Sequence, residues 1–319
     1  MSETTQNVSL ALIQDGPVFL NLAASLAKAE TLTRDAAAKG ADIIVFGECW
    51  LSGYPVWLDE APGAALWGQS GQKQAYRLLV ESAPTLDGPE LAALARLSAE
   101  LKVNIVIGIN ERTGSSLYNS AVHFGPDGRR NLHRKLMPTY SEKLFYMAAD
   151  GSDFGVWPSR FGPMSALICW EHWMPLARAA THEGGELIHF ALWPAVSELH
   201  LLASRHYAFE GQCFVAAVGS CLTRDDLFDG LTSIRSDTDA TRAMFSGIPE
   251  THFWLKAGDN VVIAPDASVV SAPSASPKET VFQTINLDAV AEGRLYLDTA
   301  GHYARPDIFS LSLSRPERP

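Results

Sequence analysis

Positive charge is scarce in this chain of 319 residues. Lys and Arg number 25 against 36 Asp and Glu, which gives a formal net charge of −11 and a pI of about 5.3. Recognition of nucleic acid requires clustered Lys and Arg that neutralise phosphates. The composition therefore argues against a nucleic-acid partner, although it says little about small substrates.

Long apolar runs are also missing. No stretch approaches the roughly 18 consecutive apolar residues that indicate a membrane-spanning helix. The opening segment, MSETTQNVSLALIQDG, contains neither a basic leader nor the apolar segment of a secretory signal. We therefore expect a cytoplasmic protein that has no membrane partner.

Cysteine is used sparingly, at Cys49, Cys169, Cys213 and Cys221. No two of them form a CxxC pair, so a zinc centre is not expected, and the chain shows no other metal-ligand cluster. In a reducing compartment all of them should be free thiols. The default interpretation of each is a small buried apolar side chain, and a catalytic role needs further evidence.

The chain does contain a regular alternation of strand and helix patterns. Apolar runs at 8–13, 41–48 and 103–109 predict buried strands, whereas 21–40 and 88–101 have the spacing of helices. This strand–helix–strand order predicts an α/β fold in which helices pack on a sheet.

The middle of the chain indicates that the sheet is mixed. Residues 117–135 have the pattern of a hairpin with its turn at Pro126-Asp127-Gly128. The polar stretch 222–252 is expected to be mobile, and the tail SRPERP to fray. Since no repeat or linker divides the chain, we expect one domain over residues 1–319. Further elements are predicted as strands at 162–169, 186–194, 214–220, 261–270 and 281–287, and as helices at 174–185 and 197–213.

Three chemically important residues, Glu48, Lys135 and Cys169, stand at the ends of predicted strands. Because ligand sites in open α/β sheets collect beyond strand ends, the three are candidates for one pocket. A cysteine nucleophile needs a base or a nearby cation. Burial would raise the pKa of Glu48 and the Lys135 ammonium would lower that of the thiol, which brings the two values together. Lys135 would also stabilise negative charge on a substrate.

Each of these residues also has a purely structural interpretation. Glu48 can cap a strand end, Lys135 can be an ordinary surface lysine, and Cys169 can be inert core. His172 is a competing base, although a residue three positions after the thiol reaches it only in a helical segment. Glu171 is either a base or an orienting group.

The neighbouring Cys49 is not expected to share the pocket of Glu48, since adjacent side chains of a strand point to opposite faces.

Three blocks, in order, resemble the nitrilase branch of the carbon–nitrogen hydrolase superfamily over nearly the whole chain. An apolar strand ending in Glu appears as DIIVFGECWLSGYP, a lysine block as HRKLMPTYSEK and a cysteine block as CWEHWMPLAR. The later EGQCF and GHYARPDIF are similar as well. The chain departs from the family pattern at Glu142-Lys143, where Glu-Arg is common, and at Asp259 and Asn260, where the family has a Gly-rich turn containing Ser.

The resemblance implies a role for each matching residue. Glu48 is the implied general base, Lys135 the charge stabiliser and Cys169 the nucleophile. Glu142 matches the family's second glutamate, which positions the substrate or the lysine and shuttles protons. Trp170 after the nucleophile favours nitrilases over the amidase branches, and its backbone N–H is a candidate oxyanion donor.

The resemblance further implies a four-layer α-β-β-α sandwich with mixed sheets, and hydrolysis of a small nitrile to its acid and ammonia without metal or cofactor. Subunits of this family pair, so we expect a homodimer or larger homo-oligomer, with the tail from about residue 300 in the subunit contacts. The alternatives are an amidase or cyanide-hydrolysing enzyme of the same superfamily, and a catalytically silent binding protein on this fold.

Large side chains near the strand ends are candidates for the substrate pocket. Alternatively, they belong to the core or to a subunit interface. These candidates are Tyr54, Trp57, Trp170, His172, Trp193 and Pro194.

Overall fold

The computed structural model describes residues 7–314. Its strands are β1 Asn7–Ile13, β2 Ile43–Phe46, β3 Asn104–Thr113, β4 Ser116–Phe124, β5 Arg130–Arg134, β6 Met164–Ile168, β7 Ile188–Leu192, β8 Phe214–Val218, β9 Cys221–Thr223, β10 Trp254–Ala257, β11 Val261–Ile263 and β12 Val281–Asn286. Its helices are α1 Leu22–Ala38, α2 Trp57–Glu60, α3 Ser70–Glu81, α4 Pro89–Leu101, α5 Pro175–His182, α6 Glu198–Gly211, α7 Arg224–Ser233, α8 Asp239–Phe245 and α9 Asp288–Arg294. Two 3-10 helical turns span Tyr140–Leu144 and Cys169–Trp173.

Two larger sheets carry the fold. The first has six strands in the order β12-β1-β2-β3-β4-β5, and the second has four in the order β11-β8-β7-β6. Both are mixed: β1, β2 and β3 run parallel, as do β6, β7 and β8, whereas β4, β5, β11 and β12 are antiparallel to their neighbours. A short pair, β9 and β10, stands apart from them.

The alternation of side chains along β1 shows why both faces of the first sheet are buried. Val8, Leu10 and Leu12 pack into a core shared with β6, β7 and β8 of the second sheet. Ala11 and Ile13 point the other way, into a core shared with α1 and α4. Successive side chains of a strand point to opposite faces of the sheet. Because both faces of this sheet are buried, the sequence of the strand is a continuous apolar run.

Four layers follow from these contacts. Helices α1 and α4 cover the outer face of the first sheet, the two sheets pack face to face, and α5 and α6 cover the outer face of the second. The predicted α-β-β-α sandwich with mixed sheets is confirmed.

Several predicted boundaries change. The strand predicted at 41–48 ends at Phe46, so Glu48 lies two residues beyond it. The strand predicted at 261–270 is reduced to β11, and its second half contributes only a bridge between Val269 and Ile263.

The prediction of a mobile stretch at 222–252 is wrong. It forms β9, α7 and α8, and it buries Leu227, Leu231, Met244 and Phe245 against the first part of the chain. Leu227 and Leu231 are four residues apart, the spacing of one helix face, within a polar background, a signal that the average polarity of the stretch conceals.

The predicted fraying of SRPERP, except for Ser314, lies outside the described residues. Within residues 7–314, no helix has both the length and the apolar character that crossing a bilayer requires.

Candidate active site

The ends of three strands from the two sheets meet at one place. Glu48 follows β2, Lys135 follows β5 directly, and Cys169 follows β6 directly. Ligand atoms of Glu48, Glu142 and Cys169 all lie within 4.8 Å of one another. The Lys135 ammonium bonds both carboxylates, so the chain itself supplies the positive charge that a metal ion would bring to this cluster.

Backbone packing at the end of β2 positions Glu48. Gly108 on β3 lies against residues 47–49 so closely that an added Cβ would fall 2.3 Å from the carbonyl oxygen of Gly47. The N–H of Glu48 donates to the carbonyl of Trp193, 3.2 Å away, at the end of β7 in the other sheet. The glutamate is therefore fixed by both sheets at once.

The carboxylate of Glu48 is buried and only partly hydrogen-bonded. Its Oε1 accepts from Asn119 Nδ2 at 2.6 Å and from Lys135 Nζ at 2.9 Å. Among the described residues its Oε2 has no hydrogen-bond partner. Burial raises the pKa of Glu48 to about 7, even though Lys135 and Asn119 act in the opposite direction. One oxygen of a carboxylate that titrates near neutrality is thus free to take a proton.

Glu142 holds the other side of the lysine. Lys135 Nζ donates to its Oε1 and Oε2 at 3.0 and 2.8 Å. Tyr54 Oη donates to Oε1 at 3.1 Å, and the N–H of Thr139 donates to Oε2 at 2.8 Å. Burial opposes the charge on Lys135, but Cys169 and the two carboxylates outweigh it and raise the pKa of Lys135 well above its usual value. The lysine is accordingly charged.

Cys169 has a backbone conformation that is unusual for a side-chain-bearing residue. It opens a 3-10 turn with φ of 56°, in the left-handed region that costs about 1–3 kcal/mol outside glycine. The backbone N–H of Trp170 acts to lower the pKa of the Cys169 thiol. The sharp turn out of β6 directs the thiol toward Glu48 and Lys135.

One expectation about this thiol is wrong. Lys135 does lower the pKa of Cys169, but burial and the Glu48 carboxylate outweigh it, so the pKa lies well above its usual value. Two carboxylates and one ammonium surround the sulfur, and the net field opposes a thiolate. The predicted rise in the pKa of Glu48 does occur.

A cavity of about 560 Å³ opens over Cys169. Of the predicted pocket residues, Tyr54, Trp170 and Pro194 line it. The sequence interpretation missed the rest of the lining, which comes from α2, the 3-10 turn at 140–144, the start of α6, β10 and the loops beside them. These residues are Asp59, Thr139, Tyr140, Ser141, Ala195, Ser197, His200, Trp254, Leu255, Lys256, Ala257 and Asp259.

Trp57, His172 and Trp193 do not line this cavity, so their assignment to the pocket is wrong. Trp57 is core, packed against Phe19 and Phe245. His172 and Trp193 are both buried and stack on each other, with ring centroids 4.6 Å apart.

His172 also fails as the base for Cys169. Its Nδ1 lies 2.7 Å from the carbonyl oxygen of Cys169, and its Nε2 lies 2.9 Å from Nε2 of His189. Burial, together with His189, lowers the pKa of His172 well below its usual value. Both ring nitrogens are thus engaged away from the thiol.

Two further residues near the centre escaped the sequence interpretation. The side-chain amide of Asn119, on β4, donates to Glu48. The backbone carbonyl of Asn119 accepts from the backbone N–H of Lys135 at 2.8 Å. His133 on β5 lies 2.8 Å from the carboxylate of Glu171. A signal for both was present, since they lie on the predicted hairpin that carries Lys135.

Comparison with known proteins identifies the family. The family model described as carbon-nitrogen hydrolase matches residues 9–295. The chain belongs to the carbon–nitrogen hydrolase family. It is 32% identical over 302 residues to an aliphatic nitrilase of Sinorhizobium fredii (strain HH103), covering 94% of each chain. It is 31% identical over 319 residues to nitrilase 3 of Arabidopsis thaliana, covering 99% of this chain and 90% of that one.

Solved structures of other proteins share the fold. The CN-hydrolase superfamily protein XC1258 of Xanthomonas campestris superposes with a TM-score of 0.68 at 18% identity, covering 97% of this chain and 99% of that one. The C. elegans NitFhit protein gives 0.70 at 15% identity, covering 99% of this chain and 69% of that one.

Proposed function

We propose that this carbon–nitrogen hydrolase converts an organic nitrile into the carboxylic acid and ammonia. The observation that carries the proposal is the buried cluster of Glu48, Lys135 and Cys169 beneath a cavity sized for a small molecule. Within residues 7–314, one Glu48 oxygen in this cluster has no hydrogen-bond partner. Relatives named as nitrilases, more than 30% identical over most of the chain, favour a nitrile over other carbon–nitrogen substrates.

The first half of the reaction forms a covalent thioimidate. As the sulfur of Cys169 attacks the nitrile carbon, the thiol proton passes to Glu48, so no free thiolate has to accumulate in a site that disfavours it. One π bond of the nitrile breaks, its electron pair stays on nitrogen, and Glu48 passes the thiol proton on to that nitrogen, which leaves Glu48 ionised again. The Lys135 ammonium and the N–H of Trp170 stabilise the negative charge that develops there.

The second half consumes two waters. Glu48 takes a proton from the first water, which adds to the thioimidate carbon and gives a tetrahedral intermediate. Glu48 passes that proton to the nitrogen, and the hydroxyl proton of the intermediate follows it through Glu48. The C–N bond then breaks, ammonia leaves, and a thioester remains on Cys169 with Glu48 ionised again. A second water, activated in the same way, breaks the C–S bond, releases the acid and returns the proton to the thiol. Glu142 holds Lys135 in place throughout, and no metal or cofactor takes part.

The test is Cys169→Ala, with ammonia release followed on a panel of aliphatic, aryl and arylacetonitriles. We expect loss of turnover in this variant, and retention in Cys213→Ala, which removes another buried thiol away from the cavity. Turnover like that of the wild type in Cys169→Ala would refute the proposed nucleophile.

The same assay, extended to the matching amides and to cyanide, separates the alternatives. Faster turnover of the matching amides, or of cyanide, would assign the site to an amidase or a cyanide hydrolase instead. A silent binding protein would show no mass increase on Cys169 after brief exposure to a nitrile, whereas the covalent mechanism requires one.

We also propose that two copies pair through α5, α6 and the segment after residue 300. Large apolar side chains are exposed on this face, and a groove of about 600 Å³ lies between the helices and the segment. Burial of such side chains stabilises association. Light scattering should give at least a dimer, and Leu176→Glu with Phe309→Glu should shift it to monomer. A wild-type monomer at micromolar concentration would contradict the pairing. The exposed side chains are Trp173, Met174, Leu176, Leu199, Leu202, Phe209, Tyr303, Ile308 and Phe309.

A further inference from the structure

Glu171 lies two residues after the nucleophile, but its carboxylate is turned away from the substrate cavity. The residue is 1% exposed and does not line the cavity. Its Oε2 accepts from the N–H of Ile168 at 2.7 Å, and its Oε1 accepts from the N–H of Leu136 at 2.7 Å. His133 Nε2 lies 2.8 Å from the same Oε2.

The two backbone donors are the chain neighbours of the two central residues. Ile168 precedes Cys169, and Leu136 follows Lys135. They belong to different sheets, because β6 is the edge strand of the four-stranded sheet and Leu136 follows β5, the edge strand of the six-stranded sheet. One carboxylate therefore joins the two sheet edges at the point where the nucleophile and the lysine leave them.

The charges of Glu171 and His133 also suit a carboxylate that joins the two sheet edges. Burial opposes ionisation of both partners, but the attraction and hydrogen bond between them outweigh it. The pKa of His133 is raised and that of Glu171 is lowered. A carboxylate has two acceptor oxygens and no donor, so it can meet three converging N–H groups, whereas an amide would oppose at least one of them with its own N–H.

We propose that Glu171, held by His133, is a positioning residue that sets the separation of Lys135 and Cys169 across the two sheets. The inference rests on the proposed function, because the separation matters for stabilising charge next to the attacking sulfur. Glu171 touches neither substrate nor the reacting atoms. It acts through the backbone N–H groups of Ile168 and Leu136, which its carboxylate holds. A shift of about 1 Å between reacting groups lowers the rate by about 100-fold.

The test compares Glu171→Gln, His133→Phe and His133→Gln with the wild type. Glu171→Gln keeps the shape but sets an amide N–H against a backbone N–H, and His133→Phe removes the donor. His133→Gln returns an N–H to the carboxylate. The matched control is His123→Phe, since His123 is also a buried histidine, lies on the adjacent strand β4, and bonds Asn104 rather than the site.

We expect kcat to fall about 10- to 100-fold in Glu171→Gln and His133→Phe, with KM within about 3-fold. His133→Gln should recover most of kcat, and His123→Phe should keep it. Normal kcat in folded Glu171→Gln and His133→Phe would overturn the proposal, as would a loss confined to KM. Thermal unfolding establishes that each variant is folded, and the two His133 variants carry the test if Glu171→Gln does not fold.

A second readout is independent of nitrile turnover. Iodoacetamide alkylates Cys169 without any nitrile, and its rate as a function of pH reports the charges next to the sulfur. We expect the pH profile to shift in Glu171→Gln and His133→Phe, because the Lys135 ammonium moves relative to the thiol. An unchanged profile in both variants would refute positioning even if the proposed substrate class proved wrong, and a shifted profile would support it in that case.

Discussion

Gly108 on β3 controls the place of Glu48, and replacing it with alanine tests the geometry of the site directly. An added Cβ would lie 2.3 Å from the carbonyl oxygen of Gly47, 2.5 Å from the nitrogen of Cys49 and 2.8 Å from the Cα of Glu48. All these atoms are backbone, so no flexible side chain can rotate aside.

The size of the effect follows from these distances. Ordinary contact begins near 3.4 Å, so the Gly47 carbonyl must retreat by about 1.1 Å, the difference between 2.3 and 3.4 Å. A displacement of about 1 Å in a reacting group costs about 100-fold in rate. Overpacking also lowers the free energy of unfolding by about 1–3 kcal/mol. We therefore expect Gly108→Ala to stay folded and to lose about 100-fold in kcat.

The assay is ammonia release from the best nitrile of the panel, together with urea unfolding. The control is Gly247→Ala, which meets no atom closer than 3.2 Å and lies away from the cavity. A folded Gly108→Ala with kcat within about 3-fold of the wild type would refute the view that a displacement of this size at Glu48 matters.

Three further predictions concern charge. First, kcat/KM should rise with pH through about 7, because Glu48 must lose its proton to act as base while Cys169 stays protonated; a flat profile from pH 5 to 8 would contradict this. Second, Asn119→Leu removes a hydrogen bond that lowers the pKa of Glu48, so this rise should move to higher pH; an unmoved midpoint would count against it. Third, Lys135→Met should lower the unfolding free energy by about 3–5 kcal/mol at pH 8 in urea titrations. The loss should be smaller at pH 5, where Glu48 takes up a proton and repels Glu142 less, and equal losses would refute this account.

The layers and the strand ends could be predicted because they depend on local patterns. Apolar runs bounded by turn residues placed β1, β2, β3 and β6 within a few positions. The strand ends pointed to Glu48, Lys135 and Cys169, and the resemblance added Glu142. The Lys135 ammonium bonds both carboxylates, and ligand atoms of Glu48, Glu142 and Cys169 lie within 4.8 Å of one another. Glu142 has no local signal of its own, since its burial depends on Lys135 and Tyr54 from other elements.

The cavity wall could not be predicted, because it depends on tertiary packing of segments far apart in the sequence. Lys256 and Trp254 come from β10, which follows a stretch interpreted as mobile. His172 and Trp193 looked like pocket residues because they lie near strand ends, but both face the interior behind the nucleophile. The position of a residue near a strand end predicts that it lies close to the site, but it does not predict whether its side chain points into the cavity.

The charge inventory of the site explains why a protonated thiol suits the proposed chemistry. Two buried carboxylates and one ammonium already leave an excess of negative charge, so a resting thiolate would add a second uncompensated charge among buried groups. Transfer of the thiol proton to Glu48 during attack leaves the total unchanged, since the sulfur passes its negative charge to the nitrile nitrogen while the carboxylate becomes neutral. That nitrogen then faces Lys135 with one carboxylate fewer competing for the ammonium. The ammonium is therefore most available to the substrate at the moment when charge develops on it, a condition that a preformed thiolate beside an ionised Glu48 would not meet.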